Sequence, residues 1–400
     1  MLSLGNNITS SSAIESKYSL NLDGTDDYLD TGHHFSTVFN DSFTISFWAK
    51  PFDGDETQSF FGFNDGDADI IRGEIKGSGD FKLTFKSNGA ERTYQTNSVV
   101  FSDGQATSWT HILVTVTKST NATVVVYKNG VSASIGAGGS VSETNHAAFS
   151  SAQNLAIGAF NSKGTVGGNF TGGIDEFAIW NVALDADAAA AVYNSGSPFN
   201  LNFDRGNYDN SPALQAYYRM GDGPNDDKEN GIVHDAHNPG FGSEKLVNSD
   251  FSSSGDISTS SFSLGWIVTD DDNIGSSIAG GELILEHPDG AAADDPSRVW
   301  ASTDGSSTNA LTVGKVYKFT YTVSSVTGST QLQYNHDVWY DLPETVGTHY
   351  VYWRQTTNQR FVLRNNGNNS TIKLSSISIV ELNGFPGMTS GGPTFSSDAP

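Results

Sequence analysis

The sequence predicts an all-β chain. Three observations carry this: 43 glycines along 400 residues, many short runs rich in β-branched and aromatic side chains, and no long apolar pattern at helical spacing. At 36% hydrophobic and 11% aromatic, the chain has enough apolar surface to bury two or three separate cores. Cysteine is absent, so neither a disulfide framework nor a thiolate metal site is available to hold those cores together. The balance of 21 basic against 45 acidic residues gives a formal net charge of −24. Such a surface repels phosphate backbones, which argues against nucleic acid as a partner. Acidity of this kind serves solubility, or suits a salty medium that screens self-repulsion.

Residues 1–17 are small and polar, with a hydroxyl run at Thr9-Ser10-Ser11-Ser12, and read as an N-terminal arm. The first residues carry neither a basic start nor the apolar core of roughly 7–15 residues that a secretion signal needs. The expectation is synthesis in a cytoplasm, with exit by lysis or assembly. No stretch approaches the roughly 20 apolar residues of a membrane helix, so no membrane insertion is expected.

From residue 18 to about 197 short strand patterns follow one another. Phe81, Leu83 and Phe85 alternate with Lys82, Thr84 and Lys86, and Asn88-Gly89 turns into Arg92-Thr93-Tyr94-Gln95, a hairpin with a two-residue primed turn. A second hairpin around Asn129-Gly130 joins Thr123 to Tyr127 with Val131 to Ile135. Residues 136–153 and 161–169 are rich in Gly, Ser and Asn and are expected as loops. The run from Gly172 to Leu184 reads as a strand with a buried face, then a turn into a short Ala-rich helix over Asp185 to Val192.

Gly172-Gly173-Ile174-Asp175-Glu176-Phe177-Ala178-Ile179-Trp180-Asn181-Val182-Ala183-Leu184 resembles the closing strand of laminin-G-like, concanavalin A-like β-sandwich domains. The resemblance extends, in the expected order, to Ser19 through Leu29, Phe43 through Pro51, Trp109 through Ile112, Val125 through Gly130 and Leu155 through Gly158. It implies a laminin-G-like sandwich over 18–197. In the bridge 198–243, Leu214 through Gly223 is similar to a strand that accompanies such modules, and is expected as an added strand on the first sandwich. A new unit opens at Leu246-Val247-Asn248-Ser249-Asp250-Phe251 and closes at Ile372 through Glu381. Its order of segments resembles carbohydrate-binding-module-like jelly rolls, which implies a second β-sandwich over 244–382. Residues 383–400, rich in Gly and Pro, are expected as an irregular tail.

The chemistry points to binding rather than to bond cleavage. Glycosidases need two carboxylates at roughly 5–5.5 Å or 6.5–9.5 Å. Neighbours such as Asp175 and Glu176 point to opposite faces of a regular strand and do not pair, so they read as strand-end acids that cap a loop or a cation. His234 and His237 lack helical metal spacing, and no nucleophile elbow, phosphate loop or dinucleotide fingerprint is present. Calcium is the cofactor candidate: Asp65, Asp67 and Asp69 place hard oxygens on a short loop, with solvated turns as the competing account. For sugars, aromatic rings beside planar polar groups are the pattern to seek. Trp339, Tyr340 and Trp353 are the candidates, with core or subunit packing as the alternative. In Tyr350-Val351-Tyr352-Trp353 one alternating face must be core.

The arm, then the laminin-G-like segment, then the jelly roll looks like proteins of marine tailed phages. That resemblance implies a non-enzymatic virion structural protein, a capsid decoration or tail-fibre component assembled in the host cytoplasm. Its expected partners are other virion proteins, further copies of itself and cell-surface glycans. A secreted bacterial adhesin, extracellular, and a glycoside hydrolase are the alternatives.

Overall fold

The structure is a computed structural model. It describes every residue except 1–13, 55, 67–68, 88–89, 103–107, 119–121, 138–148, 150–151, 259–260, 263, 269–275, 288–296, 302–310, 336–337 and 359. The fold is nearly all strand and divides into two compact units, one formed by 1–240 with 383–400 and one by 241–382. Among the described residues no helix is long and apolar enough to cross a membrane.

The first unit is a sandwich of two sheets. One is 8-stranded and centred on Phe43–Pro51 and Thr171–Trp180. The other is 11-stranded and runs through Phe81–Ser87, Ile70–Ile75 and Gln58–Asn64. Alternation explains the core: Phe43, Ile45 and Phe47 on one strand and Ile174, Phe177 and Ile179 on another turn inward, where Phe47 lies 5.0 Å from the Phe60 ring. The outward residues of the same strands are buried as well, because a second layer covers them. Helix Ala186–Tyr193, capped by the Asp185 carboxylate on the Ala188 N–H, packs with Phe199, Leu201, Tyr208 and Tyr217 against Trp180 and Leu113. The Trp180 indole N–H donates to the Tyr208 hydroxyl at 3.0 Å, so that layer is fixed by polar geometry as well as by area.

The last segment corrects an expectation. Residues 383–400 are not an irregular tail: Gly387–Ser390 pairs with Tyr28–Asp30 and with Ile232–Val233, and Thr394–Ser396 pairs with Ser19–Asp23. Glycine content reads as loop by composition, but here it lets chains approach closely. A Cβ on Gly391 would sit 2.4 Å from the Asp26 carbonyl oxygen, and one on Gly387 2.7 Å from Leu29 Cγ. Leu214–Tyr218 pairs with the second half of Thr171–Trp180, and of the arm, residues 14–17 are held against the first unit by the contacts described below.

The second unit is a sandwich of a 7-stranded and a 5-stranded sheet. In Val316–Thr327, Tyr317, Phe319, Tyr321 and Val323 are buried while Lys318, Thr320 and Thr322 are not, the pattern of a strand with one dry face. The 5-stranded sheet runs Trp266–Val268, Ser297–Ala301, Val362–Asn365, Leu332–Asn335, Trp339–Asp341. Its inner face supplies Val299, Leu363 and Tyr334 to the core.

Candidate functional site

The outer face of that 5-stranded sheet follows from strand parity. Register places Trp300 opposite Val362, Val362 opposite Asn335 and Asn335 opposite Trp339, one row across four strands. The next row on the same face is Arg298, Arg364, Gln333 and Asp341. Three strand spacings separate the two tryptophans, roughly 14 Å between backbones. Between them lies a trough of about 370 Å³ lined by Arg298, Trp300, Asn335, Trp339, Asn358, Arg360 and Val362. This volume is at the lower end of the roughly 300–1,000 Å³ of ligand clefts. Two part-exposed indoles, a valine floor and planar amides and guanidiniums form the combination that binds a sugar ring by one face and its hydroxyls by the edges.

The polar groups of the trough are unevenly satisfied. The Arg364 guanidinium lies 3.7 Å from the centroid of the Trp339 ring, and its Nε donates to Gln333 at 2.7 Å. Burial lowers the pKa of Arg364, with the Arg298 charge adding to that. Gln333 in turn donates to Asp341 at 2.6 Å, so the one carboxylate of the second row is taken by amides. Arg360 covers the Trp300 ring at 4.6 Å. Arg298 Nε and Trp300 Nε1 are covered yet have no hydrogen-bond partner, a state that costs about 1–3 kcal/mol per buried group.

The proposed site residues fall in different places. Trp339 lines the trough. Tyr340, its strand neighbour, points the other way, 37% exposed at the rim and 5.4 Å from the Tyr334 ring. Trp353 is no exposed platform: it is 3% exposed, stacked on Phe361 at 5.9 Å, with its N–H on Gln355 at 2.9 Å. The parity of Tyr350-Val351-Tyr352-Trp353 sends Val351 and Trp353 inward and leaves Tyr350 and Tyr352 over Lys318. Trp300 and the arginines stand outside the candidate set read from the sequence, although Arg298-x-Trp300 and Arg360-x-Val362-x-Arg364 at spacing two is a signal that they share a face.

In the loop proposed for calcium, Asp65 turns its carboxylate to the Asp69 backbone N–H at 2.8 Å, Asp69 is buried, and Asp67 lies outside the described residues. Among the described residues a different trio, Asp23, Asp26 and Asp27, gathers carboxylate oxygens within 4.8 Å. Its oxygens already serve the turn: Asp27 accepts the Asp23 N–H at 3.0 Å and Asp23 accepts that of Thr25 at 2.7 Å.

Asp175 and Glu176 also depart from expectation. They are not strand-end caps but lie in mid-strand, 0% and 4% exposed. Glu176 has φ 48°, and the register with Phe43–Pro51 slips between Asp175 and Ala178. Such a bulge turns two successive side chains to one side. Here the opposite edge of the strand changes partner, from Ser19–Asp23 to Leu214–Tyr218. Asp175 accepts the Ser16 hydroxyl at 2.7 Å, while Glu176 accepts the Tyr217 hydroxyl and Arg219 Nε, the latter at 3.2 Å. Arg219 also donates to the carbonyls of Asp222 and Glu15, and Asp222 accepts the N–H groups of Lys17 and Tyr18. Burial raises both carboxyl pKa values; the neighbouring Glu176 charge adds to the effect on Asp175, and Arg219 opposes it on Glu176. The cluster is a clasp that closes the seam between two strands and holds the arm. The small cavity beside it is bordered by Glu176 but not by Asp175.

Residues 23–190 match the family model described as the concanavalin A-like lectin/glucanases superfamily, so the first unit contains a laminin-G-like, concanavalin A-like domain. No curated protein matches the chain. Among solved structures, the chain is similar to the sialidase CBM40 of Ruminococcus gnavus bound to α2,3-sialyllactose, at 13% identity over 45% of this chain and 100% of that one, TM-score 0.34. It is also similar to a putative carbohydrate binding protein of Bacteroides ovatus, at 15% identity over 56% of each chain, TM-score 0.37. A third is the LG4-5 pair of the mouse laminin α1 chain, at 9% identity over 97% of this chain and 92% of that one, TM-score 0.30.

Proposed function

We propose that the chain is a non-catalytic glycan-binding protein whose second unit holds a short oligosaccharide in the trough between Trp300 and Trp339. The observation that carries this reading is the row Trp300, Val362, Asn335, Trp339: two indoles facing a common floor, with hydrogen-bonding groups beside them and no carboxylate among the described lining residues to attack or protonate a glycosidic bond. Trp339→Ala and Trp300→Ala are each expected to weaken glycan binding about tenfold, the loss of one ring contact of roughly 1–1.5 kcal/mol. Isothermal titration with the best ligand from a glycan array measures this, and a urea midpoint within error of the parent confirms folding. Unchanged affinity in both variants would remove the trough as the site.

The setting we propose is a virion, with the chain as a capsid-decorating or tail-fibre component, self-associated and seated among other virion proteins. Its support is the order of arm, laminin-G-like segment and jelly roll, together with a cysteine-free and strongly acidic composition. Mass spectrometry of purified particles is expected to find the chain in stoichiometric amounts. Its recovery only from the cell-free medium would favour the adhesin.

A further inference from the structure

The trough gathers basic side chains in a chain whose net charge is −24. Three of the eight arginines in the sequence, Arg298, Arg360 and Arg364, converge on it, although acidic residues outnumber basic ones by more than two to one overall. Guanidiniums in such a chain have a large choice of carboxylates, and two of the other five take one: Arg72 pairs with Glu74 and Arg219 with Glu176. Arg298, Arg360 and Arg364 pair with none of the described carboxylates. Arg298 and Arg364 are direct cross-strand partners, a like-charge juxtaposition that destabilises a sheet unless an anion offsets it. Arg298 Nε is covered and bonded to nothing. Arg360 lies 4.6 Å over the Trp300 ring and Arg364 3.7 Å over the Trp339 ring, so both charges are held against the indoles that border the trough.

Resting on the glycan-binding reading above, we propose that this trough selects saccharides that carry a carboxylate over neutral ones, with Arg298 and Arg360 as the anion-binding residues. A guanidinium presents a planar fork that matches a carboxylate with two parallel hydrogen bonds, and a hydroxyl offers no equivalent. The tryptophans then supply affinity for the ring, and the arginines supply the choice between rings.

The test uses the whole chain on an array of uronate-bearing, sialate-bearing, sulfated and neutral oligosaccharides, followed by titration calorimetry of the best ligand in each class. A carboxylated ligand is expected to bind at least tenfold tighter than any neutral one at 50 mM NaCl, with the margin shrinking at 500 mM. Arg298→Gln combined with Arg360→Gln is expected to weaken the carboxylated ligand at least tenfold more than it weakens the neutral one, so that the preference between the two classes is lost. Intrinsic fluorescence in urea checks that the double variant is folded. A neutral or sulfated ligand as the tightest binder, or a double variant that keeps its preference, overturns the selectivity and leaves the glycan reading standing. No ligand in any class overturns that reading itself.

Discussion

Arg219→Ala is expected to destabilise the first unit by about 3–5 kcal/mol, the cost of leaving a buried charge without its partner. Glu176 is 4% exposed, and with Arg219 gone only the Tyr217 hydroxyl would face its carboxylate. The same change releases the Glu15 carbonyl and so loosens the arm at residues 14–17. The control is the double variant Glu176→Gln, Arg219→Met, which removes both charges and is expected to recover at least half of the loss. Urea unfolding of the single and double variants, followed by fluorescence, measures both values. A single variant within 1 kcal/mol of the parent would show that the clasp does not hold the seam.

Acid is expected to weaken the first unit through His111. Its side chain is buried between Trp48 and Tyr193, with Nε2 against the Ser46 hydroxyl at 2.7 Å and Nδ1 without a partner. The carboxylate of Glu176 borders the same small cavity but is engaged by Tyr217 and Arg219. Burial lowers the His111 pKa to about 3 from an ordinary 6.5. A histidine depressed in this way contributes its full stability above pH 6.5 and loses it as pH falls toward 3, at up to about 1.4 kcal/mol per pH unit and about 4–5 kcal/mol in all. Asp226, buried and raised to about 6 although three backbone N–H groups hold it, works in the opposite direction, adding stability as pH falls through 6. Asp175 and Glu176, raised by burial, have the same sign as Asp226. His111→Gln separates the terms, because the glutamine does not titrate and the carboxylates are common to both chains. Between pH 6 and 4 the variant is expected to gain about 2–3 kcal/mol on the parent in urea midpoints converted to free energy. Parallel profiles would mean that His111 stays neutral throughout.

Much of the fold is legible in the sequence because period-two patterns survive single reading errors. Gly172 through Val192 reads as a strand, a turn and a short helix, and the structure has strand Thr171–Trp180 followed by helix Ala186–Tyr193. The direction of Asp175 and Glu176 is not legible, since alternation assumes a regular strand and one left-handed residue at Glu176 resets it. The last strands are illegible for a related reason: Gly387–Ser390 and Thr394–Ser396 are too short and too glycine-rich for a pattern, and only their partners define them. For the trough, Trp339 was readable as an aromatic near polar groups. Trp353 is not separable from it by sequence, because which parity faces inward is decided by packing, here against Tyr317 on the neighbouring strand and against Phe361. The arginines converge only through register between strands distant in sequence, which no local window contains.

The clustering of 383–400 with 1–240 makes the second unit a passenger threaded through an interrupted host. The outgoing and returning chain run side by side where they leave the host, with the Asn383 N–H on the Gly240 carbonyl at 3.0 Å and Phe241 opposite Leu382. One protease cut in either crossing therefore does not set the passenger free. After a single nick at the outgoing crossing, the returning segment, stitched into both host sheets, still carries the load.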